Sequence, residues 1–195
     1  MSDQPSPQSL RTEAIETLLI EKKLLTSEAV DTVLTTFSEQ VGPMNGAKLV
    51  ARAWVDQGFK ARLLEDATTI VQEYGFEGGQ VDKLIVKACS ESVHHVVVCT
   101  LCSCYPWAVL GLPPRWYKDP GYRSRIVREP RKVLTEMGLT LPETTDIKVW
   151  DSSAEIRYMV LPLRPEGTEG LDETALAELI TRDAMIGVAA IKTPS

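Results

Sequence analysis

The segment that decides the fold is residues 96–107, which has the sequence VVVCTLCSCYPW. It holds three of the four cysteines of the chain, spaced as C-x-x-C-x-C. A short apolar run bounded by turn-forming residues is typical of a buried strand. The segment therefore predicts a central strand over Val93–Val98, followed by a tight loop that carries Cys99, Cys102 and Cys104.

Three kinds of chemistry would explain thiols packed this closely. Disulfides are disfavoured, because cysteines two or three residues apart rarely reach the required geometry and nothing in the sequence suggests secretion. A redox pair formed by Cys99 and Cys102 leaves Cys104 unexplained. Metal binding uses all three, since thiolates are soft donors that converge readily from one loop. We therefore interpret the cluster as a metal site.

The residues alone leave the identity of the metal open. Zinc is the most common metal at thiolate sites, and a structural zinc site has four ligands. His94 or His95 could complete a site of three cysteines and one histidine, although neighbours in a strand point to opposite faces. A non-catalytic zinc-binding module is therefore one functional hypothesis.

The cysteine loop resembles the metal-binding claw of nitrile hydratase alpha subunits, and a similar motif occurs in the related gamma subunit of thiocyanate hydrolase. We call residues 99–104 the claw. The resemblance runs from about Gly46 to Val188 and is carried by further segments of the chain. These segments are residues 48–54 (KLVARAW), 110–118 (LGLPPRWYK), 128–134 (REPRKVL) and 157–162 (RYMVLP).

The resemblance implies a ligand set of the sulfur atoms of Cys99, Cys102 and Cys104 together with the deprotonated backbone amides of Ser103 and Cys104. One position is left open for water or substrate. Zinc does not normally displace amide protons, whereas a trivalent, low-spin ion with a strong ligand field can, so the ions of the family are Co(III) and Fe(III). Thr at the second claw position is typical of the cobalt type, so Thr100 predicts Co(III), one ion per chain, with Fe(III) as the alternative.

The resemblance also implies an activity, the hydration of a nitrile to the corresponding amide by a hydro-lyase. It implies that Cys102 is oxidised to a sulfinate and Cys104 to a sulfenate, and that Cys104 acts as nucleophile or base. Ser103 would position the claw, and Gln80 matches a glutamine close to the active site of nitrile hydratases. Trp107 and Tyr117 are candidates to shape the pocket. Thiocyanate hydrolysis is the alternative activity.

The site implied by the resemblance is incomplete without a partner. In the family, arginines of a beta subunit contact the oxidised cysteines, and no segment of this chain resembles that subunit. We therefore expect a separate beta subunit, and a metallochaperone is a further candidate partner. Residues 113–132 hold seven basic and two acidic side chains, whereas the whole chain has a net charge of -6. The acidic remainder disfavours a nucleic-acid partner and favours a solvated or protein-facing patch.

Composition indicates a cytoplasmic protein. No apolar run approaches the roughly 18 residues of a membrane span. Residues 1–7 are polar and lack the apolar core of a signal peptide. Few cysteines, most of them in one cluster, suit a reducing compartment.

The pattern of elements predicts an α+β fold with two domains. Residues 1–43 form an N-terminal helical arm, and residues 44–195 form the metal-binding catalytic domain. In that domain we expect a helix over residues 59–74, then strands and helices. A hairpin is expected from strands at residues 147–150 and 156–160. The layered αββα core of the resembled family agrees with this arrangement.

Overall fold

The computed structural model describes residues 7–36, 41–76 and 83–193. The chain forms two compact units, residues 1–40 and residues 41–195. The glycine-rich loop 77–80, which includes the candidate Gln80, lies outside the described residues. No helix of the described part is both long enough and apolar enough to cross a membrane.

The first unit is helical, as predicted for the arm, and contains α1 (Pro7–Glu21) and α2 (Ser27–Thr35). Thr26 begins α2, because its hydroxyl accepts a hydrogen bond of 3.1 Å from the backbone N–H of Ala29. Within both helices, all of whose residues are described, no side chain is buried. The apolar stripes of the two helices are therefore exposed in the single chain, at Leu10, Ile15, Leu18, Val33 and Leu34.

The second unit alternates helices with short strands, which confirms the predicted α+β class. Its helices are α3 (Pro43–Val55), α4 (Gln57–Glu65), α5 (Ala67–Glu73), α6 (Trp107–Leu110), α7 (Pro120–Arg128), α8 (Pro130–Glu136), α9 (Glu173–Leu179) and α10 (Arg182–Ile186). Its strands are β1 (Lys83–Ala88), β2 (Val93–Val98), β3 (Asp146–Asp151) and β4 (Ile156–Leu161). A 3-10 turn lies at Arg115–Lys118.

The strands form two parallel pairs, so the predicted hairpin is wrong. β2 pairs with β3 from Val93 opposite Asp146 to Val98 opposite Asp151, and β1 pairs with β4. β3 and β4 are joined by a short turn, yet each hydrogen-bonds to an earlier strand instead of to the other. The link carries the chain from one sheet to the other. Because β2 and β3 run parallel with Val98 opposite Asp151, they end at the same edge of their sheet, where the claw begins.

The helix predicted over residues 59–74 is interrupted and forms α4 and α5. Asp66 leaves helical geometry, with φ of -144° and ψ of 82°, and its carboxylate accepts a hydrogen bond from the N–H of Thr69. A short acidic side chain that binds backbone N–H groups favours a helix start over a helix interior. Asp66 therefore ends one helix and caps the next.

The core is built around β2, whose residues Val96, Val97 and Val98 are almost completely buried. α10 ends against this strand at Gly187, which has φ of +90° and lies so close to the carbonyl of His95 that a Cβ would overlap it. Only glycine tolerates both conditions. The close packing fixes β2, and with it the starting point of the claw.

Candidate metal centre

The claw brings three sulfur atoms together at the end of β2. Cys99 follows the strand directly and is buried, Cys104 is half-buried and Cys102 is exposed. The Sγ atoms of Cys99 and Cys102 are 3.4 Å apart, and those of Cys102 and Cys104 are 3.1 Å apart. All three lie within 4.8 Å of one another, so they could hold a single metal ion.

The sulfur spacing distinguishes two coordination geometries. With metal–sulfur bonds of about 2.3 Å, sulfurs are about 3.3 Å apart at a right angle and about 3.8 Å apart at the tetrahedral angle. The two spacings of 3.1 and 3.4 Å match right angles. Neighbouring ligands of an octahedral ion meet at right angles, whereas structural zinc is tetrahedral. The two spacings that involve Cys102 are therefore closer to the right-angle value than to the tetrahedral one.

The electrostatics of the exposed pair favour a thiolate on Cys102. Hydrogen bonds from the Cys104 thiol, and then from Cys99, lower the pKa of Cys102 to about 7. Burial and the shared hydrogen bond raise the pKa of Cys104, while the positive charge of Arg157 acts in the opposite direction. A thiolate is the form that binds metal. The claw thus holds the sulfur of Cys102 close to its ligand form at neutral pH.

Asp151 holds the first turn of the claw. Its carboxylate accepts a hydrogen bond of 2.9 Å from the backbone N–H of Thr100 and one of 2.5 Å from the Thr100 hydroxyl. Asp151 is the last residue of β3, which runs parallel to β2 and pairs with Val98. The parallel pairing therefore brings a carboxylate to the loop that follows Cys99.

Two buried tyrosines hydrogen-bond to the backbone of the claw and of the strand before it. Tyr117 is fully buried, and its hydroxyl donates a hydrogen bond of 3.0 Å to the carbonyl of Cys104. Its ring packs edge-on against Tyr105, with centroids 5.1 Å apart. Tyr122 is also buried and donates to the carbonyl of Val97 at 2.9 Å. Tyr117 thus holds the backbone of the claw, and its hydroxyl already has a protein partner.

Two arginines lie next to the claw. Arg123 of α7 donates a hydrogen bond of 2.6 Å from Nη1 to the carbonyl of Cys102. Arg157 of β4 is buried and donates to the carbonyl of Ser153. The Nε atom of each is buried and lacks a hydrogen-bond partner in the described structure. Positive charge therefore stands beside a ligand set that becomes negative when its thiols ionise.

The histidines do not approach the claw. His94 and His95 lie at the opposite end of β2, and neither belongs to the metal-capable group found among the described residues. Nε2 of His94 donates to the carbonyl of Gly187 at 2.8 Å, while Nδ1 of His95 accepts from the indole of Trp150 at 2.9 Å. Both side chains are engaged elsewhere, so the three-cysteine, one-histidine zinc hypothesis loses its fourth ligand.

The predicted site residues are brought together in part. Ser103 lies on the exposed tip of the claw between Cys102 and Cys104, and Trp107 is half-buried at the start of α6. Gln80 lies outside the described residues. Sequence reasoning missed Asp151, Arg123 and Arg157. A parallel pairing of β2 with β3 would have predicted the place of Asp151, because parallel strands end at a common edge.

The sequence matches the family described as nitrile hydratase, alpha chain, over residues 6–189. The low-molecular weight cobalt-containing nitrile hydratase subunit alpha of Rhodococcus rhodochrous is 54% identical over 185 residues, which covers 95% of this chain and 89% of that protein. The thiocyanate hydrolase subunit gamma of Thiobacillus thioparus is 45% identical over 190 residues and covers 92% of this chain and 78% of that protein.

The fold also matches a solved structure of a nitrile hydratase. A double mutant of the Fe-type nitrile hydratase from Comamonas testosteroni Ni1 superposes with a TM-score of 0.87 and 42% sequence identity, covering 98% of this chain and 97% of that chain. The similarity therefore spans the arm as well as the domain that carries the claw.

Proposed function

The chain belongs to the nitrile hydratase alpha-chain family, and we propose that it hydrates nitriles to amides at a Co(III) centre held by the claw. The observation that carries the proposal is the convergence of the Cys99, Cys102 and Cys104 sulfurs within 4.8 Å of one another. The match to the family over residues 6–189 makes the chain the catalytic subunit of a hydro-lyase.

The proposed ligands are the three sulfurs and the deprotonated backbone amides of Ser103 and Cys104. The right-angle sulfur spacing supports an octahedral ion. The cobalt-containing relative at 54% identity and Thr100 at the second claw position favour Co(III) over the alternative Fe(III). A trivalent ion held there would supply Lewis acidity towards a nitrile nitrogen or a water.

The protein residues have separate proposed roles. Cys102 and Cys104 become a sulfinate and a sulfenate, and the oxygen on Cys104 acts as nucleophile or base. Cys102 is exposed and Cys104 half-buried, so oxidants can reach both, whereas Cys99 is buried and stays a thiolate. Ser103 positions the tip of the claw, and Gln80 approaches the substrate.

A beta subunit completes the proposed site. Its arginines would contact the oxygens on Cys102 and Cys104, which lie on the exposed side of the claw. The exposed apolar stripes of α1 and α2 favour the arm, residues 1–43, as a surface for that subunit. The remaining unit, residues 44–195, is the proposed catalytic domain. A metallochaperone would deliver cobalt in the cytoplasm, where the thiols stay reduced until loading.

The test compares amide formation by the cobalt-loaded chain, the apo chain and a complex with a beta subunit, with a small aliphatic nitrile as substrate. We expect slow hydration by the loaded chain and none by the apo chain. The complex should be about 10²–10³-fold faster, because it adds positioned charged donors. Equal background from apo and loaded chain that persists in the complex would refute the proposal.

Peptide mass spectrometry tests the oxidation state of the claw in the active complex. We expect added oxygen on Cys102 and Cys104 and none on Cys99. Plain thiols at all three positions in active enzyme would contradict the proposed sulfinate and sulfenate.

A second candidate activity is thiocyanate hydrolysis. It is favoured by the 45% identity of the chain to the thiocyanate hydrolase subunit gamma. Thiocyanate also contains a carbon–nitrogen triple bond, so the same centre could act on it. Measured side by side on the reconstituted complex, turnover of thiocyanate well above that of any nitrile would favour this second activity.

A further inference from the structure

We infer that Arg123 is a positioning residue of the metal centre, whose positive charge stabilises the Cys102–Ser103 peptide group when its nitrogen binds the metal. This inference rests on the proposed function, because it takes the Ser103 amide as a ligand. The contact that carries it is the hydrogen bond of 2.6 Å from Nη1 of Arg123 to the carbonyl oxygen of Cys102.

The contact involves the peptide group that matters most for amide ligation. The carbonyl of Cys102 and the nitrogen of Ser103 belong to the same peptide bond, whose electrons are shared across oxygen, carbon and nitrogen. When the nitrogen binds a metal as an anion, part of its negative charge therefore resides on the Cys102 oxygen. A guanidinium hydrogen bond to that oxygen is charge-assisted, and such bonds are short and strong.

The sequence around Arg123 places its side chain accurately. α7 begins at Pro120, and Asp119 caps it by accepting a hydrogen bond from the N–H of Tyr122. The buried hydroxyl of Tyr122 then binds the carbonyl of Val97 in β2, two residues before Cys99. The first turn of α7 is thus attached to the strand that ends in the claw, and the next residue is Arg123.

One donor of the Arg123 guanidinium has no partner in the described structure. This donor is Nε, which is buried. An unsatisfied buried donor is unfavourable, so its presence calls for a reason beyond stability. Support for a negatively charged ligand set supplies that reason.

A neighbouring arginine provides a matched control. Arg128 lies on the same helix and, like Arg123, lines a groove of about 350 Å³ that includes Thr100. It is exposed, and the hydrogen bond to the claw carbonyl comes from Arg123. Substitution of Arg128 changes the overall charge by the same amount and leaves the contact intact.

The experiment titrates the reduced apo chain with buffered Co(II) and measures the cobalt concentration that gives half loading. Four variants are compared with wild type: Arg123→Met, Arg123→Gln, Arg123→Lys and Arg128→Met. Loss of a residue that supports a metal ligand typically lowers metal affinity about 10–100-fold. We expect that loss for Arg123→Met and Arg123→Gln, substantial recovery for Arg123→Lys and no change for Arg128→Met.

A spectroscopic measurement separates charge from loop support. After oxidation to Co(III), the thiolate-to-cobalt absorption band of Arg123→Gln should move to shorter wavelength. Without the guanidinium the peptide nitrogen keeps more negative charge and raises the acceptor orbitals of the metal. Arg123→Lys should keep the wild-type band. Thermal unfolding of each apo chain shows that the variants are folded.

The outcomes separate this inference from the proposed function. Wild-type loading and an unshifted band in Arg123→Gln would overturn the role of the charge, since glutamine can donate a hydrogen bond without it. A wild-type chain that binds cobalt but, with its beta subunit, hydrates no nitrile would refute only the proposed function. A wild-type chain that binds no cobalt would overturn both.

Discussion

Each parallel strand pair of the second unit ends in a cysteine, and the two cysteines have different surroundings. Cys89 follows β1, and its N–H continues the ladder by donating to the carbonyl of Leu161 at the end of β4. Cys99 follows β2 at the corresponding position of the other pair. At the first end the chain continues to Ser90 and a tight turn, whereas at the second it forms the claw.

The environment of Cys89 is that of a structural thiol. Its sulfur accepts a hydrogen bond of 3.4 Å from the N–H of His95 and lies 3.8 Å from Nδ1 of His94. Burial raises the pKa of the Cys89 thiol and lowers the pKa of His94, so both groups are neutral at neutral pH. At the claw, by contrast, the sulfurs of Cys102 and Cys104 lie within 4.8 Å of the Cys99 sulfur, and the carboxylate of Asp151 binds the next residue, Thr100. The two strand ends therefore differ in what the following loop brings back to the first cysteine, which is two further sulfurs for Cys99 and a histidine for Cys89.

The largest expected difference between the two ends is metal content. Cys102→Ala and Cys104→Ala should each abolish stable cobalt binding, because each removes a thiolate from a ligand set that comes from one loop. Cys89→Ala should keep about one cobalt ion per chain, because its single thiol contributes no ligand to the claw. Elemental analysis of chains purified after expression with cobalt measures both. Full cobalt in either claw variant would contradict the assignment.

A second difference is the rate at which the thiols of the apo chain react with iodoacetamide. The pKa of Cys102 is lowered to about 7 by its hydrogen bonds to Cys104 and Cys99, so its thiolate forms as pH rises through 7. The pKa of Cys89 is raised above 9.0 by burial. At pH 7 about half of Cys102 and less than about 1 per cent of Cys89 is therefore ionised, which predicts at least a 50-fold difference in rate.

Peptide mapping of the labelled apo chain between pH 6 and pH 9 measures these rates. Labelling of Cys102 should reach half of its maximal rate near pH 7. Cys102→Ser, which removes the fast site, serves as the control. Parallel pH profiles for Cys89 and Cys102 would show that the claw does not activate its exposed thiol.

A third prediction concerns Asp151, the last residue of β3, which binds Thr100 of the claw. Asp151→Asn keeps one acceptor for Thr100 but loses the charge and the second oxygen, so cobalt affinity should fall about 10-fold. Asp146→Asn is the matched control, because Asp146 is exposed at the opposite end of the same strand. Equal half-loading concentrations of Co(II) for the two variants would show that Asp151 does not support the claw.

The claw and several elements could be predicted from the sequence because their causes are local. The valine run and the cysteine spacing predicted β2 and the loop after it. The starts of α2 and α8 have local causes of the same kind, since Thr26 caps α2 and Pro130 is the first residue of α8. In each case a few neighbouring residues determine the backbone.

The pairing of the strands depends on distant residues, and the sequence did not reveal it. The link at residues 152–155 is short enough for a hairpin, yet β3 pairs with β2 from about fifty residues earlier in the chain. Buried apolar faces decide such pairing, and they leave no signal in the linking turn. The contact of Asp151 follows from this pairing, and that of Arg123 follows from the packing of α7 on β2 through Tyr122, so neither could be predicted from neighbouring residues.

The smallest expected effect on the metal centre is that of removing the Tyr117 hydroxyl. Comparing it with the effect of Arg123 distinguishes two peptide groups of the claw, each of which accepts a hydrogen bond from a side chain. The Tyr117 hydroxyl donates to the carbonyl of Cys104, whose peptide nitrogen belongs to Tyr105, outside the proposed ligand set. Arg123 donates to the carbonyl of Cys102, whose peptide nitrogen belongs to Ser103, a proposed ligand. The hydrogen bond of Tyr117 should therefore support the shape of the loop and leave the charge of the ligand set unchanged.

Tyr117→Phe should lower the free energy of unfolding of the apo chain by about 1–2 kcal/mol, because it leaves a carbonyl without its partner. Cobalt affinity should fall only a few-fold, and the absorption band of the Co(III) centre should not move. Tyr105→Phe is the matched control, since this buried hydroxyl donates to the carbonyl of Leu110, away from the claw. Chemical denaturation and Co(II) titration of both variants separate the two effects. A band shift in Tyr117→Phe as large as that in Arg123→Gln would mean that any hydrogen bond to the claw tunes the metal, and the special role of the Cys102–Ser103 peptide would be lost.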